Sequence, residues 1–321
     1  MTSLPQIRSS NIATSSALPY TPVAVFVGGT AGVGAAMARA FAQHRNGDAH
    51  IVLVGRNRAA AQEVLASFPK ETRGEFVECD VALMKNVRET AGELGRRLER
   101  LNFLVLSPGI MTLRGRNETP EGLDRKLALH YYARWRFTYE FIPLLQKAVD
   151  AKQDAKVMTV LSSIEDGAID LNDLGLRNYS LNAAGKYASA CNNAMIESFA
   201  EKYPAMAFTH IFPGAVRTNL MYGSDDWKIR LFSPLTAIVG RAFGVSAEDC
   251  AEYMWKGMYE GKNGWFRRDS HGEVLGGESL THRMWKWAYD GKNSREEVVS
   301  GRSLTEEVRR KVWDHTLEVT S

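Results

Sequence analysis

Seven residues near the N-terminus carry the plainest chemistry of the chain. Gly28-Gly29-Thr30-Ala31-Gly32-Val33-Gly34 follows the apolar run Val23–Val27 and precedes a helical pattern over residues 35–44. Backbone N–H groups in such a loop face a ligand, and the start of the following helix adds partial positive charge, so the pair suits a phosphate. Gly28 permits the tight turn, Gly32 lets a pyrophosphate approach the backbone, and Gly34 lets the helix pack closely on the strand. Thr30 and Val33 complete the loop. A glycine loop alone also reads as a plain turn; its place between a strand and a helix favours the phosphate. Arg56 ends the second apolar run, where an acidic residue would hold a ribose 2′-hydroxyl. A planar guanidinium suits a 2′-phosphate instead, so the expected cofactor is NADP(H). The competing reading of Arg56 is a solvated surface arginine.

Other reactive residue types are sparse. Cys79, Cys191 and Cys250 are odd in number, far apart and match no metal-ligand spacing. No metal is expected, and reduced thiols of a cytoplasmic compartment are the economical reading. Lys plus Arg number 40 and Asp plus Glu 37, and the resulting +3 is spread along the chain. That argues against nucleic acid held by phosphate contacts. No stretch approaches the ~18 uninterrupted apolar residues of a membrane span. Residues 1–22 are rich in Ser and Thr, have no apolar core for a signal peptide, and read as a loosely ordered arm that lies across the fold or frays. At 321 residues, 45% apolar, the chain can bury a core without disulfide or metal staples.

The elements that must position these residues alternate. Short apolar strands are expected at residues 23–27, 51–54, 75–79, 103–106, 156–161 and 207–212. Helices are expected at 35–44, 58–68, 87–101, 187–202 and, with a bend near Pro143, at 123–147. Apolar strands without alternation, separated by helices, predict a doubly wound α/β fold: a Rossmann-like parallel sheet with helices on both faces. No linker divides the chain, so residues 23–321 read as one domain, with residues 223–321 as a helical lid and C-terminal extension.

Several short motifs, in order, resemble the short-chain dehydrogenase/reductase family over roughly residues 22–222. The loop has that family's Gly-x-x-x-Gly-x-Gly spacing, with Val27 where its Thr stands. Cys79-Asp80-Val81 resembles the element that touches adenine. Leu104-Val-Leu-Ser-Pro108-Gly109-Ile110 takes the place of Leu-Val-Asn-Asn-Ala-Gly-Ile, with both Asn residues lost. Val160-Leu-Ser-Ser163 resembles the strand end that carries the catalytic Ser. Phe212-Pro213-Gly214-Ala-Val216-Arg-Thr218 resembles the nicotinamide loop. The resemblance implies that Ser163 orients a carbonyl and Tyr187 protonates it. Cys191 then stands where the Lys that lowers the Tyr pKa belongs, and His130 where the helix Asn belongs. Ser163 precedes Tyr187 by 24 residues, a long gap containing Asp173-Leu174, as in the retinol-dehydrogenase-like branch. Tyr179 is a weaker candidate because no Lys stands at position 183.

The departures shape the chemistry. A thiol cannot mimic an ammonium, so Tyr187 should keep a pKa near ~10 and donate protons better than it accepts them. Reduction is then favoured over oxidation. Lys186 could supply the missing charge only from an irregular helix start. His130 reads either as a proton relay with a useful pKa or as a satisfied core histidine. Cys191 reads either as a nucleophile or, more simply, as a small buried filler.

In the last third, Met221-Tyr222, Trp227, Leu231-Phe232 and residues 235–239 suit a lid over a bulky apolar substrate, or pack on the sheet edge. Trp265-Phe266, Trp285, Trp287 and Tyr289 are expected in the extension. Residues 305–319 read as an amphipathic helix with Val308, Val312, Trp313 and Leu317 on its apolar face. This ending resembles fungal members of the branch. The expectation is an NADPH-dependent reductase of a hydrophobic small-molecule carbonyl such as a secondary metabolite. A homodimer formed through the helices that carry His130 and Tyr187 is compatible with the resemblance. Two alternatives stay open: a non-redox isomerase, cyclase or lyase on the same fold, and a catalytically silent nucleotide-binding protein.

Overall fold

The computed structural model describes residues 3–162, 169–178, 180–218, 226, 244–278 and 304–321. Five strands are buried along their whole length: β1 (Val23–Val27), β2 (His50–Gly55), β4 (Phe103–Leu106), β5 (Lys156–Val160) and β6 (Ala207–Ile211). With β3 (Arg73–Glu78), β7 (Gly264–Arg268) and β8 (Val274–Glu278) they form one sheet in the order β3-β2-β1-β4-β5-β6-β7-β8. β8 alone pairs antiparallel. The chain moves outward one way from β1 to β3 and then returns to place β4 on β1's other side. That reversal sets the loops after β1 and β4 side by side, the place where open α/β sheets bind ligands.

Both faces are covered, as strands without alternation require. On one face, α2 (Gly32–His44), α3 (Arg58–Ala66) and α8 (Ala247–Glu260) bury Phe41, Val64 and Trp255 against the sheet. Trp255 stacks on Phe41 at 4.6 Å, and its Nε1–H donates to Met37 O at 2.9 Å. On the other face lie α4 (Met84–Arg97), α6 (Ala133–Asp150), α7 (Leu181–Lys202) and α9 (Glu306–Thr320).

Three expectations need correction. Residues 4–16 are not a loose arm but a helix, α1 (Leu4–Ser16). Ser3 N–H donates to Gln6 Oε1 at 2.9 Å, a capping box hidden within the Ser/Thr-rich stretch. Asn11 is buried and gives its Nδ2–H groups to Glu252 Oε2 (2.8 Å) and Glu252 O (2.9 Å), which ties α1 to α8. The long helix is not one element over 123–147; Pro143 lies inside its last part, α6. Its irregularity comes earlier: a short α5 (Arg125–Leu127) passes into a π turn (Ala128–Tyr132) before α6. Finally, Trp265 and Phe266 belong to β7 and extend the main sheet; α8, β7 and β8 went unread because their patterns are short and charge-interrupted.

Candidate active site

The glycine loop, Arg56, Asp80, Pro108, Gly109, Pro213 and Gly214 lie just beyond the C-terminal ends of the parallel strands. Gly28 has φ +83°, and a Cβ on it would lie 2.8 Å from Pro108 N. A Cβ on Gly34 would lie 2.4 Å from Ser107 Oγ and 2.5 Å from Gly28 O, so only glycine lets α2 start this close to β1 and β4. Thr30 packs on Gly55 at the end of β2. Gly32, φ +55°, faces Thr218: a Cβ there would lie 3.4 Å from Thr218 Cγ2. The loop after β6 thus reaches the glycine loop. Gly214 (φ +76°) turns that loop, Val216 bridges to Val245, and Pro213 O accepts from Cys250 Sγ at 3.4 Å.

These residues fit a dinucleotide. The N-cap of α2 is Ala31, which has no side-chain oxygen to offer, so the first-turn N–H groups of the helix stay available to a phosphate. Asp80 is half-buried at the end of β3; its Oδ1 accepts from Ala82 N–H at 3.1 Å, and Val81 beside it is buried. Asn57 caps α3, accepting from Ala60 N–H at 3.0 Å, and Arg58 pairs with Glu78 at 3.2 Å. Arg56 is exposed and makes no ion pair or hydrogen bond with the described residues.

Tyr187 is buried in the first turns of α7, and its hydroxyl donates to Leu174 O at 2.8 Å. Tyr132 Oη donates to the same carbonyl at 3.3 Å and lies 3.1 Å from His315 Nε2 of α9. Burial, and then the Cys191 thiol beside it, drive the Tyr187 pKa far above the usual tyrosine value. Cys191 is itself buried, and burial pushes its thiol up to about 12. A thiol so placed is protonated at neutral pH, which disfavours nucleophilic attack. Lys186 is exposed, and α7 has already run for five residues before it, so the irregular start that would bring its charge to Tyr187 is absent. Ser163, Tyr179 and the suggested lid (Met221-Tyr222, Trp227, Leu231-Phe232 and residues 235–239) lie outside the described residues, as do Trp285, Trp287 and Tyr289.

His130 sits in the π turn, half-buried against the loop after β4. Its Nε2 accepts from Ile110 N–H at 3.1 Å, and a Cβ on Gly109 would approach that nitrogen to 3.2 Å. Desolvation, then the charges of Arg134 and Lys126, push its pKa down to about 3. The expected relay with a pKa near neutrality is therefore not present; this imidazole is neutral at physiological pH.

Sequence reasoning missed the network behind it. The His130 carbonyl accepts from Asn192 Nδ2 at 2.8 Å, and Asn192 Oδ1 accepts from Thr159 Oγ1 at 2.8 Å. Arg134, fully buried, donates to Thr159 Oγ1 (2.6 Å), Val160 O (3.0 Å) and Pro108 O (2.7 Å). Burial lowers its pKa to about 9, which leaves it charged at neutral pH with neutral acceptors. The available signal was a polar stripe at helical spacing, Lys126, His130, Arg134 and Thr138, within a largely apolar helix. Among the described residues there is no metal-ligating cluster, and no helix is long and apolar enough to cross a membrane.

Comparison with known proteins agrees with the fold. Residues 28–254 match a family model described as Enoyl-(Acyl carrier protein) reductase, and the chain belongs to the short-chain dehydrogenase/reductase family. It is 35% identical over 236 residues to Oxidoreductase AN1596 of Emericella nidulans, covering 72% of this chain and 69% of that one. It is 27% identical over 335 residues to the short-chain dehydrogenase/reductase SAT2 of Stachybotrys chartarum, covering 92% and 90%. Among solved structures, the NADPH-bound carbonyl reductase from chicken fatty liver superposes with a TM-score of 0.55 at 19% identity, over 80% of this chain and 99% of that one. At that identity the likeness speaks to fold. The class is an oxidoreductase of this family on a Rossmann-like sheet.

Proposed function

We propose that this protein is an NADPH-dependent reductase of a carbonyl on a hydrophobic small molecule, of the kind found in secondary metabolism, working in the cytoplasm. The observation that carries the reading is the pairing of an uncapped α2 N-terminus with an exposed Arg56, just after β2, that has no partner among the described residues. Gly28, Thr30, Gly32, Val33 and Gly34 would hold the pyrophosphate. Arg56 would take the 2′-phosphate, and Asp80 with Val81 the adenine. Pro108, Gly109, Pro213, Gly214, Val216 and Thr218 would flank the nicotinamide. The bound cofactor supplies a hydride to the carbonyl carbon. Tyr187, turned away from Leu174 O, gives its proton to the oxygen and regains one from solvent; Ser163 orients the carbonyl. A tyrosine with so high a pKa is a poor base, which favours reduction.

The first test is a tryptophan-fluorescence titration with NADPH and then NADH. NADPH should bind more tightly, and Arg56→Ala should weaken NADPH by about tenfold or more while sparing NADH, as expected for one charge-assisted hydrogen bond. No binding of either nucleotide would end the hydride reading. Cys191 in place of the family's Lys favours one second reading: a non-redox enzyme, which would convert its substrate with no change in nicotinamide absorbance.

A further inference from the structure

We propose that residues 169–178 form a strap that occludes the resting site: the Leu174 carbonyl occupies the Tyr187 hydroxyl, and Arg116 latches the strap shut until a substrate carbonyl takes Leu174's place. This rests on the reductase reading above. A phenol has one proton to give. Tyr187 gives it to Leu174 O at 2.8 Å, and a backbone carbonyl can only accept. While that bond stands, the acid has no proton free for a substrate. Leu174 O is an acceptor of the same kind as a ketone or aldehyde oxygen, supplied from within the chain. Substrate binding therefore exchanges one carbonyl for another on the same hydroxyl.

The segment is built to move as a unit. The amides of Asn172 and Asp173 donate to Asp170, and those of Leu176, Arg177 and Asn178 donate to Asp173, so these bonds stay inside the strap. Its hold on the rest of the fold runs through three successive carbonyls. Leu174 O accepts from Tyr187 and, at 3.3 Å, from Tyr132. Arg116 Nη1 donates to Gly175 O at 2.7 Å and to Leu176 O at 3.0 Å. Arg116 is itself steadied by Glu118, whose Oε1 accepts from its Nε at 2.8 Å. It belongs to the loop after β4, whose Pro108 and Gly109 flank the cofactor in the reading above. The closed form is strained. Leu176 is buried with φ +49°, the left-handed region that a bulky side chain disfavours. Such a backbone persists only where its surroundings impose it. Here they are Arg116 on the Leu176 carbonyl and the core beside the strap. Asp170, Asn172, Arg177 and Asn178 are exposed, so little burial resists movement. The strain favours release and Arg116 opposes it; a carbonyl that takes over the Tyr187 proton tips the balance.

Two readouts on the full-length protein test this. Isotope labels on leucine carbonyls and glycine amides mark three Leu-Gly pairs, Leu94-Gly95, Leu174-Gly175 and Leu275-Gly276. The carbonyl signal that shifts in Tyr187→Phe is that of Leu174. In wild-type protein saturated with NADP, benzamide, a carbonyl that this hydride does not reduce, is added until reduction of para-nitrobenzaldehyde is blocked. The Leu174 signal should then move toward its Tyr187→Phe position. The second readout is kinetic. Arg116→Ala should raise kcat/KM for para-nitrobenzaldehyde by about tenfold, the gain expected when an open form of about one part in ten becomes the main form, with NADPH affinity unchanged. Arg116→Lys, which keeps a donor, should fall between. An Arg116 that only supported the fold would lower kcat/KM when removed. A Leu174 signal that benzamide leaves in place overturns the proposal, as does a folded Arg116→Ala whose kcat/KM is unchanged or lowered. If Arg116→Ala does not fold, the wild-type signal decides alone. With either overturning result, reduction of the aldehyde by the wild type leaves the reductase reading standing. Absence of NADPH binding instead overturns that reading, and the proposal falls with it.

Discussion

The site holds two groups whose protons are fixed by burial, and their consequences differ. Tyr187 keeps its proton because burial and the neighbouring Cys191 thiol disfavour the phenolate. Tyr187→Phe should therefore remove an acid, with a loss of about 10²- to 10⁴-fold in kcat and little change in NADPH affinity. Leu174 O keeps Tyr132 as a donor in that variant, so its thermal unfolding should move little. His130 is held neutral, its pKa lowered from 6.5 to about 3. Below pH 6.5 the unfolded chain binds a proton there that the folded chain refuses. Stability is complete above that pH and drains away as the pH falls toward 3, by up to about 1.4 kcal/mol per pH unit for this one group. His50, His210 and His315 shift in the same direction and steepen the loss. Urea unfolding followed from about pH 7 to 5 should show this, with a slope shallower by up to one proton in His130→Gln. Equal slopes in the two proteins would mean that His130 titrates normally.

At the scale of elements, the glycine loop is the tightest joint. Gly34→Ala places a methyl 2.4 Å from Ser107 Oγ and 2.5 Å from Gly28 O. Backbone cannot yield there, so α2 must shift; NADPH binding should fall by about tenfold or more, measured by the same fluorescence titration, and unchanged affinity would show that the joint tolerates the shift. α1 offers a second joint. Asn11→Leu removes both hydrogen bonds to Glu252, whose carboxylate also faces His44 at 3.2 Å, and should cost about 1–3 kcal/mol in urea unfolding. The sheet through β6 and the helices between its strands were legible in sequence because β1, β2 and β4 are short apolar runs followed by turn signals, and the mixed strands β3, β5 and β6 recur between helical patterns at the spacing of the same α/β repeat. The glycine loop was legible for its spacing. α1 was not, because Ser, Thr and Asn read as loop until a distant partner such as Glu252 satisfies them. The π turn was not, since the sequence from 125 to 150 carries one continuous helical pattern and the extra residue appears only in the hydrogen-bond ladder. Neither the Leu174 contact of Tyr187 nor the Asn192–Arg134 network could be read, because each joins residues far apart in the chain.

At the scale of the whole molecule, the resemblance pointed to pairing through the helices that carry His130 and Tyr187, and α9 now lies on both. Trp313 sits 4.9 Å from Trp135 of α6 and 4.8 Å from Phe199 of α7, ring centre to ring centre. Arg309 of α9 pairs with the buried Glu197 at 3.3 Å, and the Tyr131 hydroxyl lies 2.7 Å from Thr316 Oγ1. The apolar strip that a second copy would need is thus covered from within the chain. Light scattering should therefore find the full chain monomeric; a stable dimer would place its interface on another face. The same contacts link α9 to the site, because His315 reaches Tyr132, and Tyr132 shares Leu174 O with Tyr187. Trp313→Ala should cost roughly 3 kcal/mol of stability, since the half-buried indole fills a pocket shared by two helices. It should also loosen the segment that holds the Tyr187 proton. Hydrogen exchange reads both effects at once: protection should fall in α9 and at residues 170–178 together. Loss confined to α9 would show that the tail helix covers the core without governing the site.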